Sequence, residues 1–329
     1  MEKKKTPFYK SALFTLSILA ITGCKNENNS SQTEGAPEDT TNLSNDTLPK
    51  FASEPLVTDN YTADPSAHVF DGKIYIYPSH DWDSGIPEDD TGAHFDMKDY
   101  HVYSMDSIGG KVTDHGVVLD VKDVAWAKRQ MWAPDAAEKN GKYYLYFPAK
   151  DEKDIFRIGV ATSDSPAGPF TAQKEPIAKS YSIDPAVYKD TDGKYYMYLG
   201  GIWGGQLQRY RNNEYQGEED VYPADDEPAL SPKVARMSDD MLGFAEELRD
   251  VQILDKDGNP LSTGDNERRF FEAAWVHKYN DTYYFSYSTG DTHNIAYATK
   301  RQPLWPIYLS GGNIRTRAWL DQSPFNCRI

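Results

Sequence analysis

Apolar and polar positions alternate in short runs along most of the chain, and the runs come in pairs joined by tight polar turns. The first pair is Asp64-Pro65-Ser66-Ala67-His68-Val69-Phe70 and Lys73-Ile74-Tyr75-Ile76-Tyr77, separated by Asp71-Gly72. The second opens with Trp132-Ala133-Pro134-Asp135, turns at Asn140-Gly141 and continues Lys142-Tyr143-Tyr144-Leu145-Tyr146-Phe147. A third opens with Ile183-Asp184-Pro185-Ala186-Val187-Tyr188, turns at Asp192-Gly193 and runs on from Lys194 to Tyr198. The fourth opens with Phe271-Glu272-Ala273-Ala274-Trp275-Val276, turns near Asn280-Asp281 and continues from Tyr283 to Tyr287. Asn-Gly and Asp-Gly accept the positive φ that two-residue turns require, so each pair predicts a β-hairpin. A further alternating run follows several of them, at Tyr100 to Ser104, Ile158 to Ser163 and Asn294 to Thr299. Sheets of about four strands recurring in this way predict blades packed around an axis, an all-β propeller.

The N-terminal segment has a different pattern. Residues 1–23 begin with Lys3-Lys4-Lys5, continue through a mainly apolar run from Ser11 to Ile21, and end in Thr22-Gly23 before Cys24. The run is too short for an ordinary spanning helix and carries the flanks of a signal peptide. With small Gly23 directly before Cys24 it resembles a bacterial lipoprotein signal, which implies a mature chain that begins at lipidated Cys24, exported and anchored at the bacterial cell envelope. A plain secretory signal or an uncleaved anchor is the alternative. Residues 24–50 are almost wholly polar and predict a flexible tether, followed by one folded domain over residues 51–300. Cys24 and Cys327, the two cysteines, stand near opposite ends of the chain and define no disulfide framework.

Composition excludes some functions. The chain of 329 residues carries 51 acidic and 35 basic side chains, a net charge of −16 that argues against a nucleic-acid partner. Its 23 tyrosines outnumber the 13 phenylalanines and 7 tryptophans together, a balance that favours strands over helix bundles.

In a propeller the innermost strand of each blade starts at the axial channel, so Asp64, Asp135, Asp184 and Glu272 are predicted to converge there. Carboxylates crowded into one cavity repel, which raises at least one pKa and supplies an acid and a base at the same pH. Glycoside hydrolysis needs such a pair. Glu272 stands among Phe270, Phe271, Ala273, Ala274 and Trp275, where burial favours its protonated form.

These segments, with Ala63-Asp64-Pro65-Ser66 and the stretch from Ala161 to Phe170, resemble glycoside hydrolase family 43, five-bladed propellers that hydrolyse β-xylosides and α-L-arabinofuranosides with inversion. The resemblance implies Asp64 as the general base that activates water, Glu272 as the general acid, and Asp184 as the carboxylate that tunes and orients that acid. Asp135 is left a structural role. It further implies an exo-acting β-xylosidase with α-L-arabinofuranosidase activity, releasing xylose or arabinose from plant cell-wall xylan and arabinoxylan oligosaccharides. An endo-arabinanase and a non-catalytic glycan-binding propeller are the alternatives. Trp82, in the acidic insert between Asp81 and Asp99, and Trp203, in the run from Gly200 to Gly205, are candidate sugar platforms or loop anchors. His68, His101 and His277 fall in strand patterns and are read as packed or surface residues, so no metal ligand is assigned. The chemistry needs no cofactor. The family's axial calcium commonly relies on a fifth-blade histidine, and no histidine follows His293, which makes a calcium site doubtful here.

That fifth blade is not legible. Residues 301–329 contain no hairpin signal, yet permitted codons for Lys300 to Ser310, read out of phase, give Ser-Asp-Ser-Pro-Tyr-Gly-Pro-Phe-Thr-Tyr-Gln. This matches Ser163 to Gln173 except at the two alanines. The same offset over Trp319 to Arg328 permits Gly-Trp-Thr-Asn-His-His, which resembles the family's fifth-blade motif, and the codons of Trp305 and Trp319 each force a glycine where the pattern has one. Residues 301–329 are therefore expected to be a frameshifted translation that leaves a blade face and a sheet edge uncovered.

Overall fold

In the computed structural model, which describes residues 55–290, 292–300 and 308–309, the hairpins form at their expected turn residues. Asp71 and Gly72 have φ of 51° and 78°, Asn140 and Gly141 of 56° and 74°, and Asn280 and Asp281 of 45° and 59°. Two successive left-handed residues are what a two-residue hairpin turn needs to match the twist of its strands. The third hairpin closes on a longer loop, in which the Asp190 N–H bonds the Lys194 carbonyl at 2.9 Å. The signal at 1–23, the tether at 24–50 and, apart from residues 308–309, the tail at 301–329 lie outside the described residues.

Blade one consists of β1 (Tyr61–Phe70), β2 (Lys73–Asp81), β3 (Asp99–Met105) and β4 (Thr113–Asp120), hydrogen-bonded in chain order. Blade two repeats the plan with β5 (Asp135–Lys139), β6 (Lys142–Lys150), β7 (Phe156–Ser163) and β8 (Thr171–Ala172). Blade three starts with β9 (Ala186–Lys189) and β10 (Tyr195–Leu199), is interrupted by the ribbon of β11 (Tyr210–Arg211) and β12 (Glu214–Tyr215), and is completed by β13 (Lys233–Arg236) and β14 (Arg249–Asp250). After β15 (Gln252–Ile253), blade four has β16 (Phe270–Tyr279), β17 (Thr282–Thr289) and β18 (Ile295–Lys300). A final short strand, β19 (Tyr308–Leu309), pairs in parallel with β15.

The arrangement is an all-β, propeller-like set of four blades among the described residues. Their first strands are neighbours, β1 against β5, β5 against β9 and β9 against β16, so these strands surround a common axis. His68 of β1 and Trp275 of β16 meet with ring centroids 5.6 Å apart, bringing the first and fourth blades together there. The core lies between blades. Tyr77, Val102 and Leu119 of blade one pack with Leu145 and Phe147 of blade two. Tyr146 and Ile158 on the other side join Met197 and Val234 of blade three and Phe285 and Ala296 of blade four.

The insert from Trp82 to Lys98 joins β2 to β3 and folds back over blade two. Its Met97 carbonyl accepts the Met131 N–H at 3.0 Å, and its Phe95 carbonyl accepts Trp132 Nε1 at 2.8 Å. Gln130 Nε2 donates to the Gly92 carbonyl at 2.8 Å. Gly92 has φ of +66°, and a Cβ there would lie 2.6 Å from the Trp132 ring, so turn and close approach both require glycine. On the other side of blade one, Leu56, Val69, Ile74, Met105 and Ile108 line an apolar groove of about 320 Å³ that none of the four convergent acids enters.

Candidate active site

Irregular backbone at the start of the inner strands aims the acids. Asp64 has φ of +45° and sits in the register break of β1 between Ala63 and Ser66. Glu272 lies between two register breaks of β16, next to Ala273 at φ +58°. Asp184, at +54°, precedes β9, and Ser182 and Trp203 nearby are also left-handed, at +64° and +54°. Such conformations cost free energy in non-glycine residues and cluster where the surrounding fold imposes a functional geometry.

Asp184 reaches blade four directly: its Oδ2 accepts the N–H of Ala273 at 2.9 Å, the peptide that follows Glu272. The loop behind the acid is braced by Ser182, whose Oγ donates to the Gly205 carbonyl at 2.7 Å and accepts the Gly201 N–H at 3.0 Å. A Cβ on Gly201 would stand 2.6 Å from Ile183 and 3.3 Å from the Glu272 Cβ, so the bare backbone there is what lets the loop close on Glu272. The Ile202 N–H bonds the Phe271 carbonyl at 3.1 Å, fixing the same loop to β16.

The carboxyls perturb one another. Glu272 is raised well above the ordinary glutamate range, first by burial and then by the charges of Asp184 and Asp64. Asp184 is pushed up to about 7 by burial and Asp64, against the opposing hydrogen bond from Ala273. Burial also raises Asp64. Asp64 is exposed to solvent, which opposes that shift. A fourth member is Asp81, at the end of β2 opposite Tyr61, with Oδ1 buried and unpartnered. Burial and the charge of Asp64 push it up to about 7. Sequence reasoning marked Asp81 only as an edge of the insert. Strand alternation from Tyr77 and Ser79 was the signal that places it on their face.

Asp135 is brought to the axis and fully engaged there: Oδ1 meets His68 Nε2 at 2.6 Å and Oδ2 accepts the Val187 N–H at 2.6 Å. Trp203, on a 3₁₀ turn with Gly204 and Gly205, is 37% exposed and stands perpendicular to Phe271 at 5.1 Å, with His293 at 6.0 Å. Trp82 is tied into its own insert. Its Nε1 donates to the Asp96 carbonyl at 2.7 Å, and Lys98 Nζ caps the ring at 3.8 Å. His277 stacks on Tyr284 at 4.9 Å, whereas His101 stands with His80 and Asp99 in blade one.

The model of the glycosyl hydrolases family 43 matches residues 53–324. The chain belongs to glycosyl hydrolase family 43. It is accordingly a glycosidase. A xylosidase/arabinosidase of Bacteroides ovatus is 62% identical over 257 residues, 78% of this chain and 79% of the relative. Xylosidase/arabinosidase 43A of Humicola insolens is 58% identical over 268 residues, 78% of this chain and 81% of the relative. The solved structure of a β-xylosidase/α-arabinofuranosidase from a compost metagenome, in complex with xylotriose and in a calcium-free form, aligns with a TM-score of 0.75. That protein is 66% identical, and the alignment covers 80% of this chain and 79% of the other.

Calcium in that family raises the question of fit here. A hard cation needs six to eight oxygen ligands, roughly, from carboxylates, carbonyls and water. At the axis, the oxygens of Asp135 are committed to His68 and to the Val187 N–H. Among the described residues, the one grouping of three side chains close enough to share an ion is His80, Asp99 and His101, within blade one. Asp135 is therefore not free to serve such an ion at the axis.

Proposed function

We propose that the chain is an inverting exo-glycosidase that releases xylose or arabinose from xylan- or arabinoxylan-derived oligosaccharides. The observation that carries this reading is the convergence of Asp64, Asp184 and Glu272 from three blades into one cluster in which Asp64 raises Asp184 and both raise Glu272. Asp64, open to channel water, takes a proton from the water that attacks the anomeric carbon. Glu272, held protonated by burial and by its neighbours, gives its proton to the departing glycosidic oxygen as that bond breaks. Asp184, bonded to the peptide after Glu272, orients the acid and keeps its pKa high. The base ends protonated and the acid ionised, and exchange with solvent resets both.

The pentose preference rests on the relatives named xylosidase/arabinosidase. Exo action is supported by the insert. Its Thr91 and Gly92 stand against Gly204 and Trp132, where an added Cβ would meet them within 3 Å, so the insert walls the top of blades two and three beside Trp203. The test is proton NMR of xylobiose hydrolysis. The first-formed new reducing end should be the α-anomer, with xylose as the sole early product and turnover about 10²–10⁴-fold lower in Glu272→Gln. A new reducing end formed first as the β-anomer, beyond the β-xylose carried over from xylobiose's own reducing end, or internal cleavage of longer chains, would defeat this reading.

Two features that lie, apart from residues 308–309, outside the described residues belong to the same proposal. Cys24 carries lipid and holds the exported enzyme at the cell envelope, which labelling with radioactive palmitate checks against Cys24→Ala. Residues 301–329 are read out of frame, which resequencing of the codons for Ala298 to Ile329 checks. A confirmed frame with no shifted motif in the DNA would end that idea.

A further inference from the structure

The insert begins and ends beside a set of side chains that the proposed hydrolysis does not use. His80 is the penultimate residue of β2, Asp99 the first of β3 and His101 follows two residues on. Their ligand atoms all lie within 4.8 Å of one another. His80 Nδ1 is 2.5 Å from Asp99 Oδ1, and the two imidazole rings meet edge to face with centroids 4.8 Å apart. Behind His101, the Asp114 carboxylate lies 3.0 and 3.1 Å from its Nδ1. A carboxylate on one imidazole nitrogen orients the ring and makes it a better ligand, the usual support behind metal-bound histidines. His80, Asp99 and His101 are 23%, 22% and 12% exposed, shielded yet within reach of an ion from solvent.

We propose that His80, Asp99 and His101 bind a borderline divalent transition ion, zinc in the first instance, and that this ion pins the two ends of the 82–98 insert. Two imidazoles and one carboxylate suit zinc, copper or nickel, whereas calcium and magnesium seek oxygen. A tetrahedral ion with bonds of about 2.1 Å sets its ligand atoms about 3.4 Å apart. The His80–Asp99 hydrogen bond opens to admit it and the wider pairs close by about an ångström, which side-chain rotation supplies, while water takes the fourth position. The site joins residues on either side of a segment of seventeen residues, 82–98, so the ion removes the freedom of the insert's ends. The pinned insert is the one whose tip rests on Trp132 and Gly204.

The experiment is calorimetric titration of the EDTA-dialysed full chain with zinc chloride at pH 7.5, paired with tryptic cleavage at Lys98. Lys98 is the one trypsin site within the insert. One zinc per chain is expected. His80→Ala and His101→Ala should each weaken binding at least tenfold, Asp114→Asn by about tenfold through loss of the orienting carboxylate, and His277→Ala should leave it unchanged. Zinc should slow cleavage at Lys98 at least fivefold in the native chain and not in His101→Ala, and calcium should do neither. Circular dichroism establishes that each variant is folded, and Asp114→Asn, which keeps both histidines, serves if an alanine variant is not. Absent heat of binding in the native chain, or equal zinc affinity in the His80→Ala, His101→Ala double variant, would overturn the site. Binding without protection of Lys98 would overturn the pinning.

Discussion

Replacing Asp184 with asparagine separates charge from geometry at the acid. Asparagine keeps an oxygen that can accept the Ala273 N–H, now at 2.9 Å from Oδ2, and removes the negative charge beside Glu272. In its proposed role Glu272 donates only while protonated, and Asp184 is the larger of the two charges that hold its pKa up, after burial. Two unit charges about 6 Å apart in an effective dielectric of about 20 interact by about 2.8 kcal/mol, or about 2 pH units. Water in the channel reaches the half-buried Asp184, so about one unit is expected in practice. Because Asp184 is itself pushed up to about 7, its charge develops mainly above neutrality. The assay is the pH dependence of kcat/KM on xylobiose, whose alkoxide leaving group needs the proton. Glu272's pKa should fall in Asp184→Asn, moving the basic limb of the profile to lower pH by about one unit. A basic limb that stays in place or moves upward, in a variant with unchanged circular dichroism, would show that the charge of Asp184 does not tune the acid.

Glu272→Gln should lower kcat on xylobiose by about 10²–10⁴-fold and cost much less on 4-nitrophenyl β-xyloside, whose leaving group needs little protonation; equal losses on both would remove Glu272 as the proton donor. Gly201→Ala places a methyl 2.6 Å from Ile183 and 3.3 Å from the Glu272 Cβ. It should destabilise the fold by about 1–3 kcal/mol in urea melts and reduce kcat, and an unchanged midpoint would contradict the tight packing. Asp135→Ala strands His68 Nε2 and the buried Val187 N–H. Each should cost about 1–3 kcal/mol in urea melts while the pH profile of the remaining activity keeps its limbs; a displaced limb would place Asp135 among the groups that titrate with catalysis.

Much of this was legible in local chemistry. The strands either side of Asp71-Gly72, Asn140-Gly141 and Asn280-Asp281 form as read, because a two-residue turn specifies its own register. Third strands near residues 100, 158 and 295 also form, since alternation and β-branched or aromatic content agree there. Blade three was only half legible. Its third strand, Lys233–Arg236, follows a long excursion through the Tyr210–Tyr215 ribbon, and no turn signal spans that distance. Asp64, Asp184 and Glu272 were legible because each opens a repeat. Asp81 was not, because it closes a strand and its relation to Asp64 arises only from cross-strand pairing. The docking of Gly92 on Trp132 is a contact between distant segments, to which composition gives no clue.

The acids are distributed unevenly along the chain: Asp64 belongs to the first blade and Glu272 to the fourth, with Asp184 between them. No contiguous half of the chain holds both the proposed general base and the proposed general acid. A cut in the connection between Ala172 and Ala186 would separate the first pair of blades from the second, and on the proposed mechanism each half should be inert alone. Sugar release by the recombined halves would then be a direct signal of ring assembly, and a chain threaded through a membrane before folding would stay harmless to glycans on the side where it was made.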